Sequence, residues 1–218
     1  MAQVRDVAQN PKTTVLLMGE TGTGKEFLAR VIHHNSARAK GPFVRINCTT
    51  ISPQSFERDL FEYECGAFAG AEHRKVGLLE QAETGTLFLD EVGELDLAMQ
   101  GGCWGFCRID RFVALEGTED IQGEFRVIAS SYRDLKQKVS AARFRDDLYS
   151  RLNGVAFVLP SLRNRVEDIV PLSKRFIAKY GVDPGKELVE LVPKAIAFLE
   201  QYPFPGNVRE LQNKIERG

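Results

Sequence analysis

The sequence predicts an α/β fold: a parallel sheet sandwiched between helices, followed by a small all-helical subdomain. Three observations lead there. Strand-like apolar runs recur at Thr14–Met18, Pro42–Ile46, Thr86–Asp90, Glu124–Ser130 and Val155–Leu159, with helix-like segments between them. The run ending at Asp90 is apolar without alternation, which suits a strand buried on both faces. From Val166 onward the pattern is wholly helical. A nucleotide-binding core is therefore expected over residues 1–165 and a helical lid over 166–218.

The first strand runs into Gly19-Glu20-Thr21-Gly22-Thr23-Gly24-Lys25-Glu26, and an amphipathic helix follows over Lys25–Asn35. Strand, glycine-rich turn and helix N-terminus together form the anion cradle of a P-loop. Gly19, Gly22 and Gly24 let the backbone curl until its N–H groups face a phosphate, and Lys25 adds a point charge at the β and γ oxygens. Glu26 stands where Ser or Thr usually binds Mg²⁺.

Pro42–Ile46 leads to Asn47, and Pro53–Phe61 reads as a helix. The third run closes on two carboxylates, Asp90 and Glu91, at the strand end where such sheets place function. Asp90 is expected to hold a metal or its waters, on a strand neighbouring that of the P-loop, and Glu91 to polarise the attacking water. Read alone, the same pair is a solvated acidic turn; beside a P-loop, hydrolysis is the better reading. Asp134–Ser140 is a further helix. The lid helices are expected over Val166–Tyr180, Leu191–Tyr202 and Asn207–Arg217, separated by glycine- and proline-rich turns at 181–185 and 203–206.

Composition narrows the classes further. The 218 residues carry 29 basic and 30 acidic side chains, a net charge of −1, so no bulk field advertises nucleic-acid binding. No apolar run is long enough to span a membrane and Met1–Asp6 is not a signal peptide, so a cytoplasmic location without membrane contact is expected. Cys48, Cys65, Cys103 and Cys107 form no C-x-x-C pair and read as reduced structural thiols. His33, His34 and His73 have no evident catalytic partner.

Several motifs together resemble the central domain of bacterial sigma-54-dependent transcriptional activators, which are AAA+ ATPases. Gly66-Ala67-Phe68-Ala69-Gly70-Ala71 is similar to their GAFTGA loop, preceded by Leu60-Phe61 as in the family. Residues 144–153 (FRDDLYSRLN) look like the arginine-finger segment, and 159–169 (LPSLRNRVEDI) and 204–211 (FPGNVREL) match in order and spacing. The likeness covers essentially the whole chain, and in that family Glu is the usual residue after the P-loop lysine. It implies ATP and Mg²⁺ as ligands and a homo-oligomeric ring, typically a hexamer. It also implies that Arg145 and Arg151 reach the neighbouring subunit's site, that Arg209 senses nucleotide within the chain, and that Asn47 hydrogen-bonds Glu91. Residues 66–71 would contact the sigma factor of RNA polymerase. Sensory and DNA-reading domains, which flank this region in the family, would lie outside this chain.

Four positions depart from the family pattern: Ala69 for the loop threonine, Tyr132 for the sensor asparagine, Lys75 for an arginine, and the glycine-rich stretch 100–108 for a leucine-rich helix. A tyrosine offers one hydroxyl in place of an amide's donor and acceptor. Three glycines each cost a helix about 1 kcal/mol relative to alanine, so that stretch is either a helix sustained by packing at Trp104 and Phe106 or irregular. Two functions remain open on sequence. One is a ring-forming ATPase acting on sigma-54 RNA polymerase. The other is a degenerate module that holds ATP, or a nucleotide such as cyclic di-GMP, as an assembly signal for the housekeeping polymerase.

Overall fold

Apolar runs become strands and amphipathic stretches become helices in the computed structural model, which describes residues 2–60, 77–108, 111–113, 120–122, 124–180 and 191–217. In chain order they are α1 (Ala2–Ala8), β1 (Val15–Met18), α2 (Lys25–His34), β2 (Phe43–Asn47), α3 (Pro53–Leu60), α4 (Leu78–Gln81), β3 (Thr86–Asp90), α5 (Leu97–Arg108), β4 (Arg111–Val113) and β5 (Asp120–Gln122). Then come β6 (Arg126–Ser131), α6 (Leu135–Ser140), α7 (Asp146–Leu152), β7 (Val155–Val158), α8 (Ile169–Tyr180), α9 (Pro193–Gln201) and α10 (Asn207–Arg217). They divide into two compact units, 1–18 with 26–157, and 19–25 with 158–218.

The first unit is built on a five-stranded sheet of order β2-β3-β6-β1-β7, in which β2–β3, β3–β6 and β1–β6 pair in parallel. Parallel strands need cover on both faces, and the burial shows it. Every residue of β6 is buried, as are the first four of β3, whereas the edge strand β7 alternates between half-buried and exposed. Leu16, Leu87, Leu89 and Ala129 share one core with Phe56 of α3, Met99 and Cys103 of α5 and Leu148 of α7. Val15, Leu17, Phe88 and Ile128 alternate with them along the strands, face the other way, and are also fully buried. The acidic strand β3 is not the immediate neighbour of β1, as the sequence reading had it: β6 lies between them. A strand's place in a parallel sheet is decided by crossovers and leaves no local mark.

The glycine-rich stretch is helical, as α5. Met99, Cys103, Phe106 and Cys107 are buried at helical spacing, and Trp104 packs against the same core. Gln100, fully buried, donates from Nε2 to the Leu95 carbonyl (2.9 Å) and accepts the Arg145 N–H at Oε1 (2.8 Å). This packing offsets what the glycines cost. Three helices were not anticipated, α1, α4 and α7; all are short, and α1 is tied down from far along the chain. Arg126 at the start of β6 is 1% exposed and donates to the carbonyls of Ala8 (3.1 Å) and Val7 (2.8 Å), closing the α1 C-terminus with a cation.

In the second unit the three helices gather around Leu162, Ile169, Phe204 and Leu211. The first lid helix begins later than the sequence suggested, because 166–168 form a 3₁₀ turn before α8. Pro193 sits at the first position of α9, where its missing N–H costs nothing.

Candidate nucleotide site

The loop 19–25 carries three glycines with positive φ: Gly19 (147°), Gly22 (81°) and Gly24 (103°). At Gly22 no other residue fits. An added Cβ would stand 2.3 Å from the Gly206 carbonyl oxygen, in a backbone conformation that side chains avoid. Lys25 is buried and folds back on its own loop, its ammonium donating to the carbonyls of Gly19 (2.8 Å) and Glu20 (3.2 Å). Thr23, also buried, donates from Oγ1 to the Glu20 carbonyl (2.8 Å). A curled backbone with a buried ammonium turned into it is a cradle for anionic oxygens.

The lid residues of the same unit hold this loop. Arg163 forms a two-pronged pair with the Glu20 carboxylate and, with the Asn207 amide second, keeps that carboxyl below its usual range. Arg165 donates to the Thr23 carbonyl (2.7 Å). At the start of α10, the N–H groups of Val208 and Arg209 meet the Gly22 carbonyl (3.0 and 3.3 Å), which sets Arg209 beside the P-loop with its side chain exposed.

In the first unit the register places the C-terminal ends of the strands at one edge of the sheet. Met18 pairs with Ser131, Leu89 with Ala129 and Asn47 with Asp90. The chain enters the glycine loop from Met18, at that edge. Asp90 Oδ1 accepts the Ser130 hydroxyl (2.7 Å), and Oδ2 accepts Arg45 Nη2 (2.6 Å) and Nε (3.1 Å). The same guanidinium reaches Glu26 Oε2 at 3.3 Å, so two carboxylates share one cation. Carboxylate and hydroxyl oxygens are hard donors of the kind Mg²⁺ takes. Among the described residues no group of three or more His, Cys, Asp or Glu side chains is disposed to hold a metal.

Glu91 is bent out of the strand with φ 60° and ψ 49°, a left-handed conformation uncommon for a residue with a side chain. Its N–H donates to Ser130 Oγ (3.0 Å), and its carboxylate accepts the Tyr132 N–H (2.8 Å). Asn47 lies opposite Asp90, and its side-chain oxygen accepts from Thr49 N (3.1 Å) and Oγ1 (2.7 Å). Tyr132 follows β6, the strand between those of the P-loop and the acids; its hydroxyl bonds Glu94, which pushes its pKa up. Arg145 pairs with Asp147 through Nη2 (2.7 Å) and Nε (3.0 Å) and has a side chain 44% exposed. Arg151 donates from Nε to the Cys107 carbonyl (2.6 Å). Gly66–Ala71 and Lys75 lie outside the described residues.

Among the described residues, the buried thiols Cys48 and Cys103 are not part of this chemistry. Cys48 bonds from its N–H to the Asp90 carbonyl (2.9 Å), and burial, with Asp90 and Glu91 behind it, pushes its thiol up to about 12. Cys103 is driven well above the ordinary range by its bond with Cys107 and by burial. Both stay protonated and inert, as structural thiols do. Sequence reasoning missed Arg45 and Ser130 and assigned Asn207 no role. A serine ending a buried strand beside an acidic one is a usable signal; an arginine on an edge strand is not.

Two family models cover the chain. Residues 1–158 match the sigma-54 interaction domain and residues 163–218 the AAA+ ATPase lid domain. The regulatory protein AtoC of Escherichia coli (strain K12) is 42% identical over 206 residues, which is 94% of this chain and 45% of that protein. The Nif-specific regulatory protein of Azospirillum brasilense is 43% identical over 217 residues, 100% of this chain and 34% of that one. Crystal structures of NtrX from Brucella abortus in complex with ATP and with ADP superpose with a TM-score of 0.88 at 35% identity. They cover 99% of this chain and 49% and 48% of theirs. The chain thus spans less than half the length of these relatives.

Proposed function

The chain belongs to the sigma-54 interaction domain family of AAA+ ATPases, and from that premise we propose that it is the motor of a bacterial transcriptional regulator. It binds ATP with Mg²⁺, hydrolyses it within a homo-oligomeric ring, and acts on sigma-54 RNA polymerase in the cytoplasm. The observation that carries this reading is the glycine loop with the buried Lys25 ammonium turned into it. Contact with DNA belongs to parts of the regulator outside this chain. Among the described residues no helix is long and apolar enough to cross a membrane.

In this reading residues Gly19, Glu20, Thr21, Gly22, Thr23, Gly24 and Lys25 seat the triphosphate, and Glu26 and Asp90 flank the metal. The metal, held by Asp90 directly or through water, supplies charge neutralisation at the β and γ oxygens. Arg45 would give up its carboxylates as it enters. Glu91 polarises the attacking water, and Asn47, one register position away, holds it back until the target engages. Arg209 reports on the nucleotide from the lid. Arg145 and Arg151 serve the neighbouring subunit's γ-phosphate, and exposure at Arg145 supports that role once Asp147 lets go. Phosphoryl transfer needs this positioning and charge stabilisation more than covalent help. Gly66, Ala67, Phe68, Ala69, Gly70 and Ala71 form the loop that meets the sigma factor.

Phosphate release tests the proposal. Wild-type turnover should rise with protein concentration. Glu91→Gln should lose on the order of 10²–10⁴-fold in rate, and Arg145→Ala about 10³-fold or more, both still binding nucleotide. A wild-type chain that binds ATP but releases no phosphate would leave only the other reading, a nucleotide-holding module, which nothing in the comparisons favours. Pull-down of sigma-54 with ATP and a transition-state mimic addresses the partner, with Ala69→Thr expected to strengthen capture.

A further inference from the structure

We propose that Asn207 is a positioning residue that aims the P-loop's phosphate-facing N–H groups from the lid. The inference deepens the nucleotide reading above and rests on it. Asn207 is 0% exposed and takes φ 55°, a left-handed turn that asparagine tolerates better than most residues. Its amide is used on both sides. Oδ1 accepts the Leu162 N–H (2.8 Å), while Nδ2 donates to Glu20 Oε2 (3.1 Å) and to the Thr21 carbonyl (3.0 Å). It does not act alone: the Gly22 carbonyl accepts from Val208 and Arg209, and the Thr23 carbonyl from Arg165. Four consecutive P-loop residues, Glu20 to Thr23, are each held by a group from the lid.

The consequence follows from peptide geometry. A trans peptide is planar, so its C=O and the next residue's N–H point in opposite directions. Pulling the Thr21 carbonyl toward Asn207 turns the Gly22 N–H the other way, and the Arg165 grip on Thr23 does the same for Gly24. An anion cradle works because its N–H groups are oriented before the phosphate arrives. Glycine at 22 and 24 would otherwise leave those peptides free to rotate. Among these contacts Asn207 is the only one made by a fully buried side chain, so water cannot replace it without cost.

The test is equilibrium binding of a fluorescent ADP analogue to the whole chain, with thermal melting in parallel, at pH 8 and pH 6. Asn207→Gly keeps the left-handed turn and loses the side chain. Asn207→Asp keeps the shape and the bond to Leu162 but presents no donor while ionised. Both should bind about tenfold more weakly than wild type at pH 8. At pH 6 the Asn207→Asp variant should recover a large part of that loss relative to wild type, because a protonated carboxyl again offers one donor. Full burial at this position raises that carboxyl's pKa, and Glu20 and Glu210 add to the rise; Arg163, already paired with Glu20, opposes it, as do Lys25, Arg165 and Arg209. A protein that had only lost packing would not be repaired by one proton. Both variants binding like wild type at both pH values would overturn the proposal. So would an Asn207→Asp loss unchanged at pH 6, a readout that stands even if Asn207→Gly fails to fold. A wild-type chain that binds no ADP analogue would overturn the nucleotide reading itself.

Discussion

Glu91, proposed above to polarise the attacking water, is held in a strained backbone. Its left-handed backbone costs on the order of 1–3 kcal/mol, and the Ser130 hydroxyl and the Tyr132 N–H hold it there. Ser130 is 0% exposed and serves both acids, donating to Asp90 and accepting from Glu91. Ser130→Ala removes its bonds to both acids and should lower the unfolding free energy by about 1–3 kcal/mol, read by urea denaturation, with turnover falling as Asp90 loses its orientation. His33 is one residue that makes stability depend on pH. It is 2% exposed, faces Thr86 Oγ1 through Nδ1 (2.9 Å), and burial, then His34, Arg126 and Arg30, keep its pKa below the ordinary 6.5. The unfolded chain therefore binds this proton more readily than the folded one. Stability should hold above about pH 6.5 and fall as pH drops below it, at no more than about 1.4 kcal/mol per pH unit. Denaturation of wild type and His33→Gln across pH 5–8 checks this, with a flatter profile expected for the variant.

At the scale of elements, α5 is a helix written with poor helix formers and kept by its surroundings. Its three glycines differ in what they face. A Cβ at Gly105 would meet nothing within 4 Å, whereas one at Gly102 would lie 3.1 Å from Phe56 Cε1. Gly105→Ala should stabilise the protein by about 1 kcal/mol, raising Tm by roughly 2–4 °C for a chain of this size. Gly102→Ala should gain little or nothing, because Phe56 must move to admit it. Equal gains at both sites would mean that propensity alone governs this helix. The strands teach the complementary lesson. β3 was read at its observed bounds, Thr86–Asp90, because apolar runs and closing carboxylates are local signals. Its separation from β1 by β6 was not readable, since nothing in either strand names its neighbour.

For the whole molecule the question is where the arginine acts. Arg145 pairs with Asp147 within its own chain, yet it is exposed and free to exchange partners at modest cost, as surface ion pairs are. If it serves a neighbour's site in a closed ring, two inactive variants should complement each other. Mixing Glu91→Gln with Arg145→Ala subunits places an intact glutamate opposite an intact arginine at about a quarter of the interfaces. Phosphate release should then reappear on mixing, toward about that fraction of wild type. Release that stays at the level of the separate variants would confine Arg145 to its own subunit.

The sequence by itself determined the parts that are local in the chain: the glycine loop, the strand closing on Asp90 and Glu91, and the helices that end it. Glycine offsets and apolar periods act over a few residues, so they can be read one segment at a time. Only the tertiary structure decided the strand order and the contacts of Arg45, Ser130 and Asn207. Their partners stand 45, 40 and up to 187 residues away. Such bonds depend on which strands lie side by side and on which turn meets the loop. Those are properties of packing, and no short stretch of sequence contains them.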